Sequence, residues 1–230
     1  QGSGPVLPQM YVDLRPPAGQ RLHGVAFVGG TYITMTLDPV INAPVNEYAP
    51  VATEPQFQSE GFYPARPFTL RNNDTVERAD ATLTLAIGQH DTASGVTRLY
   101  TDLQYDVYFS ALADEIAPEI RSIDGFYDVT AGRAQFKVEA RDDSGIARVF
   151  ISYTTGDGAW SHFDLAHDTT AAKWKGATTG ARGAEYQAQV IDAAGNALVM
   201  TRKGGYFQLP DALGGISQQP QKVFLPALGR

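Results

Sequence analysis

AQFKVEARDDSGIARVFISY, residues 134–153, decides the fold class. In its first half Phe136, Val138 and Ala140 alternate with Gln135, Lys137, Glu139 and Arg141. That period of two is the pattern of a strand with one buried and one wet face. Asp143-Ser144-Gly145 supplies a turn, because Gly takes positive φ freely while Asp and Ser bond their own backbone. The second half alternates again, with Ala147, Val149, Ile151 and Tyr153 set against Arg148 and Ser152, and Phe150 between the latter two. Two strands joined by a short polar turn are predicted over 134–142 and 146–153.

The pattern extends in both directions. Glu119–Ile123 reads as a strand in front. Behind come the turn Thr155-Gly156-Asp157-Gly158, a strand over Trp160–Leu165 with Phe163 and Leu165 inward, and a short piece around Ala172–Gly176 that carries Trp174. Gly183–Asp192 sets Ala184, Tyr186, Ala188 and Val190 against Glu185, Gln187 and Gln189. Asp192-Ala193-Ala194-Gly195-Asn196 turns the chain, and Ala197–Arg202 returns as the last strand. About seven short strands with regular turns predict an immunoglobulin-like sandwich. The runs DDSGIARVFISY, GDGAWSHFDL, AEYQAQVIDAAGNAL and KGGYF resemble the Ig-like or fibronectin type III-like modules of large secreted bacterial proteins. Such modules often follow the catalytic domain of secreted peptidases. The likeness covers residues 118–207 and implies a fold and an extracellular setting, but no activity.

The first half of the chain is also strand-like. Tyr11–Arg15 is a short strand, with Val12 and Leu14 inward. Val25–Val28 and Thr31–Leu37 read as a hairpin around Gly29-Gly30. Ala79–Gly88 alternates through Ala81, Leu83, Leu85 and Ile87, and a turn over His90–Gly95 leads into Val96–Ser110, where Leu99, Leu103, Tyr105, Val107 and Phe109 recur on odd positions. The segment TASGVTRLYTDLQYDVYFS resembles a β-sandwich piece of gingipain-like cysteine peptidases, whose catalytic cysteine and histidine have no counterpart here. Residues 38–67 hold six prolines, which forbid a central strand or helix interior. Their apolar content predicts a long loop docked on a sheet or on a neighbour.

The expected architecture is therefore all-β, with two Ig-like sandwiches in tandem and extended tails at both ends. The divisions are an N-terminal tail over 1–9, a first sandwich over 10–113 with the Pro-rich insertion, a second over 114–209, and a C-terminal tail over 210–230. Residues 112–118 are the expected hinge. Gln1-Gly2-Ser3-Gly4-Pro5 carries no signal-peptide pattern and reads as a mature N-terminus left by cleavage or as the start of a fragment.

Composition narrows the function classes. A formal net charge of -7, without clustered Lys or Arg, disfavours nucleic acid. No long apolar run supports a membrane span. The absence of cysteine removes disulfides, thiolate metal sites and cysteine nucleophiles together. No nucleophile elbow, phosphate loop or zinc-peptidase motif occurs.

Four kinds of site are candidates. Asp142, Asp143, Asp192 and Asn196 lie in loops at one pole of an Ig-type sandwich and suit calcium; the competing reading is that they cap their own turns. No other cofactor is expected. Asn73-Asp74-Thr75 matches the glycan acceptor pattern, with Asn73 in a turn. Trp160, Trp174 and Tyr153 are a candidate platform for sugar rings, set against ordinary core packing. Val6, Leu7, Val223, Phe224 and Leu225 are candidate assembly residues, since apolar tail segments can complete a neighbour's sheet. The expected function is a non-catalytic structural or assembly protein of the cell exterior, partnered by copies of itself or by the rest of a larger secreted protein. The alternatives are an accessory region of a secreted peptidase and a carbohydrate-binding module.

Overall fold

Strands, and no helix, make up the regular structure of the described residues. The computed structural model describes residues 5–37, 57–75, 78–203 and 205–212, with the backbone alone over 72–75 and 78–80. Residues 38–56 of the Pro-rich insertion, and Val223, Phe224 and Leu225 of the expected assembly set, lie outside them. Among the described residues no helix is long and apolar enough to cross a membrane.

The described strands form three sheets. The first sets β1 (Gln9–Leu14), β5 (Arg78–Ala86) and β4 (Phe68–Thr75) side by side. The second runs β15 (Ala197–Met200), β14 (Glu185–Asp192), β10 (Ile146–Thr154), β11 (Ala159–Asp164), β2 (Arg21–Thr36), β7 (Val96–Ser110), β6 (Gly88–Asp91) and β3 (Phe62–Tyr63), with β16 (Phe207–Gln208) also on β14. The third is β12 (Ala166–Asp168), β13 (Lys173–Thr179), β9 (Arg133–Arg141), β8 (Glu119–Asp128) and β17 (Asp211–Ala212).

Alternation places the cores. In the first half Leu22, Val25, Ala81, Leu83 and Leu85 meet Val12, Leu14, Leu103, Val107 and Phe109 between the first sheet and β2–β7. In the second half Ile123, Phe136, Val138, Val149, Ile151, Tyr186 and Val190 fill the space between β8–β9–β13 and β10–β14. Most of the inward residues read from the sequence lie in these cores, but Ala147 is exposed and Phe150, read on the face of Arg148 and Ser152, is fully buried. Another expectation fails: Gly29-Gly30 is no hairpin. β2 runs straight through it as a 16-residue strand opposite β7. At Gly30 (φ 154°) a Cβ would collide with the Asp102 carbonyl, so the second glycine serves a close strand approach between register shifts at Phe27/Gly29 and Thr31/Tyr32, not a turn. The register shift between Thr31 and Tyr32 brings the even-numbered Tyr32 and Tyr100 into one cluster with the odd-numbered Leu103 and Tyr105.

The boundary expected at residues 112–118 is crossed by a shared sheet. Ala159 and Trp160 of β11 pair with Thr31 and Gly30 of β2. Beyond that short ladder β2 lies over the back of β10 and β14. Ala26 and Val28 pack there on Phe150 and Ile191. The polar face expected to be wet on β14 is buried instead, with Gln187 and Gln189 both 0% exposed. Gln189 behaves as a strand partner. Its Oε1 accepts the Phe27 N–H at 2.8 Å, and its Nε2 donates to the Phe27 carbonyl at 2.6 Å. Ser152 Oγ donates to that carbonyl at 2.8 Å, and Gln189 Nε2 also reaches Ser152 Oγ. Glycine permits the approach: a Cβ on Gly24 would stand 2.6 Å from both the Ala197 Cβ and the Gly195 carbonyl.

Candidate functional site

The pole where the two halves meet gathers the acidic residues. Asp192 ends β14 in a tight turn. Its Oδ1 accepts the N–H groups of Ala194, Gly195 and Asn196 at 2.7–2.9 Å, and its Oδ2 accepts Asn196 Nδ2 at 2.7 Å. Gly195 (φ 99°) closes that turn against His23 and Tyr108 of the first half. Asp142, in the β9–β10 loop, accepts Ser144 N and Oγ on its Oδ1. The Ala193 N–H bonds the Gly145 carbonyl and ties the two loops together.

A third carboxylate arrives from outside both loops. Asp114, in the connection between β7 and β8, brings an oxygen within 4.8 Å of oxygens of Asp142 and Asp192. Two like charges at that spacing repel by roughly 3 kcal/mol at an effective dielectric near 20. Among the described residues no Lys or Arg pairs with any of the three. The trio thus offers carboxylate oxygens to a hard, oxygen-preferring cation such as calcium.

The predicted four residues map onto this pole unevenly. Asp142, Asp192 and Asn196 converge. Asp143 is exposed and stands outside the trio. Asn196 orients its neighbours: Nδ2 donates to Asp192 and to the Asp114 carbonyl, and Oδ1 accepts from His23 Nδ1 at 3.0 Å. Both amide atoms are engaged, so Asn196 positions the site and leaves coordination to the carboxylates. Sequence reasoning missed Asp114 because it treated 112–118 as a free hinge. The one available signal is its place in the connection that must pass this pole.

The other predicted sites disperse. Trp160 is buried against Phe27, Tyr206 and Tyr32, while Tyr153 and Trp174 pack on the second core, with Trp174 beside His167. They form no common platform, because β11 turns Trp160 toward the first half. Asn73, expected in a turn, lies in β4 opposite Asp80, since the β4–β5 ladder continues to the Thr75–Arg78 pair. Leu7 and Pro8 sit against Gly88, and the Pro8 carbonyl accepts the Ile87 N–H, so this part of the expected tail is docked on its own chain; Val6 is 50% exposed.

A second polar group sits deep in the seam. Arg98 of β7 meets Glu185 of β14 at 2.7 Å and lies over the Phe62 and Tyr32 rings. Beside it Gln89 accepts from Tyr100 OH and donates to Tyr206 OH and the Pro64 carbonyl. Burial pushes the phenols of Tyr100 and Tyr206 upward; the charge of Tyr206 adds to the rise at Tyr100, whereas hydrogen bonds from Gln89 and Tyr100 offset part of it at Tyr206.

No protein-family model, curated protein or solved structure matches the chain.

Proposed function

We propose that the chain is a non-catalytic structural module of the cell exterior, a subunit that joins others through strand contacts of its tail segments. The observation that carries this reading is β17. Asp211 and Ala212 lie parallel to Tyr127 and Asp128 on the edge of the third sheet, held by the Arg182–Asp211 ion pair at 2.7 Å. This pairing is within one chain, and the assembly reading extends the same edge geometry to a neighbouring copy. That geometry supplies backbone hydrogen bonds for affinity and alternate side chains for register. Repeated head to tail between copies, such a contact builds an open filament. The Ig-like reading of the second half is supported by strand order. β12-β13-β9-β8 faces β11-β10-β14-β15, the ABED and CFG sets with one strand added.

Light scattering and electron microscopy on the full chain and on a version ending at Ala212 test the assembly reading. Filaments or defined oligomers that vanish on truncation are expected. A monomer for both versions at every concentration overturns it and favours the accessory region of a larger secreted protein.

The acidic pole supports a second element of the reading, a calcium ion that fixes the connection to both loops. It rests on the arrival of Asp114 beside Asp142 and Asp192. Calorimetric titration of chelator-treated protein should show one site, abolished in Asp114→Asn with the fold intact. An absence of binding at millimolar calcium leaves the three residues as turn caps.

A further inference from the structure

We propose that the outer face of the β1–β5–β4 sheet is a binding groove for an acidic polysaccharide. The face is distinct from the β17 edge, so the proposal does not rest on the assembly reading. Gln9, Tyr11, Thr69, Arg71, Thr82 and Thr84 turn outward while their neighbours Val12, Leu70, Leu83 and Leu85 fill the core. Register sets Tyr11, Thr84 and Thr69 in one cross-strand row, and Thr82 beside Arg71 in the next.

Two depressions lie on this face. One, of about 360 Å³, is lined by those six side chains. The other, of about 220 Å³, adds Tyr63 and Arg66 and shares Gln9, Thr69 and Thr84 with the first. They adjoin as one trough. Along β5 it runs from residue 82 to residue 86, about 13 Å at the antiparallel rise, which is room for a short oligosaccharide.

The chemistry of the lining selects the ligand class. Tyr11 is 68% exposed, and its hydroxyl donates to Gln9 Oε1, which holds the ring along the sheet. Tyr63 is 41% exposed and is braced edge-on by Phe57 at 4.8 Å. Flat, exposed and pre-positioned rings take the apolar faces of sugars at little entropic cost. Threonine hydroxyls and the Gln9 amide suit sugar hydroxyls. Charge decides between neutral and acidic chains. The protein carries a net charge of -7, yet among the described residues Arg66 and Arg71 line the trough and no carboxylate does. Asp13 stands across Thr82 from Arg71, at the rim. A planar guanidinium matches a carboxylate in two-point geometry, which points to uronate units.

Calorimetry of the full chain with tetragalacturonate, alginate and hyaluronan oligomers, and with neutral cello-oligosaccharides of matched length, tests this. Binding to at least one acidic oligomer is expected, at least tenfold tighter than to the neutral set and weakened by salt. Tyr11→Ala and Arg71→Ala should each lower affinity at least tenfold with the melting temperature unchanged, and Arg71→Lys should restore part of it. The proposal is overturned if no acidic oligomer binds, if neutral oligomers bind as tightly, or if both alanine variants bind like the parent.

Discussion

Replacing Gln189 by leucine tests whether the seam is held by the side-chain pairing seen at Phe27. The substitution keeps approximate volume and apolar contact but removes the amide. The Phe27 N–H then loses its partner in a fully buried setting, while the Phe27 carbonyl keeps Ser152 Oγ. A stranded buried donor costs about 1–3 kcal/mol, and the second lost hydrogen bond adds about 1, for a total of about 2–4 kcal/mol. Ser152→Ala leaves Gln189 bonded to both Phe27 groups, so about 1 kcal/mol is expected there. The double variant should show strong coupling, because the three groups form one network. Urea unfolding followed by tryptophan fluorescence is the assay. Trp160 lies 5.6 Å from the Phe27 ring and reports on the seam directly. Gln104→Leu on the exposed face of β7 is the control, within about 0.5 kcal/mol of the parent. If Gln189→Leu also falls within that margin, the amide is not what holds β2 on β14, and the reasoning fails.

Three further outcomes follow from the same geometry. Gly24→Ala places a methyl 2.6 Å from the Ala197 Cβ and from the Gly195 carbonyl, neither of them a flexible tip, so it should cost about 3 kcal/mol in urea unfolding. Asp192→Ala strands three turn N–H groups and should cost about 3 kcal/mol with or without calcium, whereas Asp114→Asn relieves the repulsion within the trio and should raise calcium-free stability. Burial raises the phenols of Tyr100, Tyr105, Tyr186 and Tyr206 above 10, so the native state holds their protons where the unfolded chain releases them. Stability is then fully present below about pH 10 and falls as pH rises beyond it, by about 1.4 kcal/mol per pH unit for each such tyrosine. Tyr186→Phe should flatten that fall by one proton's worth in unfolding curves measured between pH 10 and 12.

Much of the fold was legible because strands with one dry face announce themselves. Phe136, Val138, Val149, Ile151, Leu83 and Leu85 lie in the cores that their alternation predicted. Alternation misled where a strand is buried on both faces. Gln187 and Gln189 look like a solvated row, yet both are buried and Gln189 is bonded to β2, and nothing local in AEYQAQVID distinguishes a glutamine bonded to water from one bonded to another strand. Gly29-Gly30 misled in the opposite sense, since a glycine pair signals a turn and a bulge equally well. The acidic pole was half legible. Its loops follow from the sandwich topology, but Asp114 joins them only because the connection passes over the turn at Asp192, a long-range fact with no local signature.

The shared seam has a consequence for cooperativity. In two beads on a linker, each half would keep its stability when cut from the other. Here the second half alone, residues 114–212, would uncover Phe150, Ile191, Gln187 and Gln189, and would lose both ion-pair links to β7, Arg98–Glu185 and Arg148–Asp106. Re-exposing Phe150 and Ile191 alone costs about 3–6 kcal/mol of hydrophobic burial, comparable with the whole stability of a small domain. The full chain should therefore unfold in one calorimetric transition, and the isolated half should melt at least 10 °C lower or associate through its uncovered face. Two separate transitions in the full chain, one matching the isolated half, would mean that the pairing of β11 with β2 is too short to couple them.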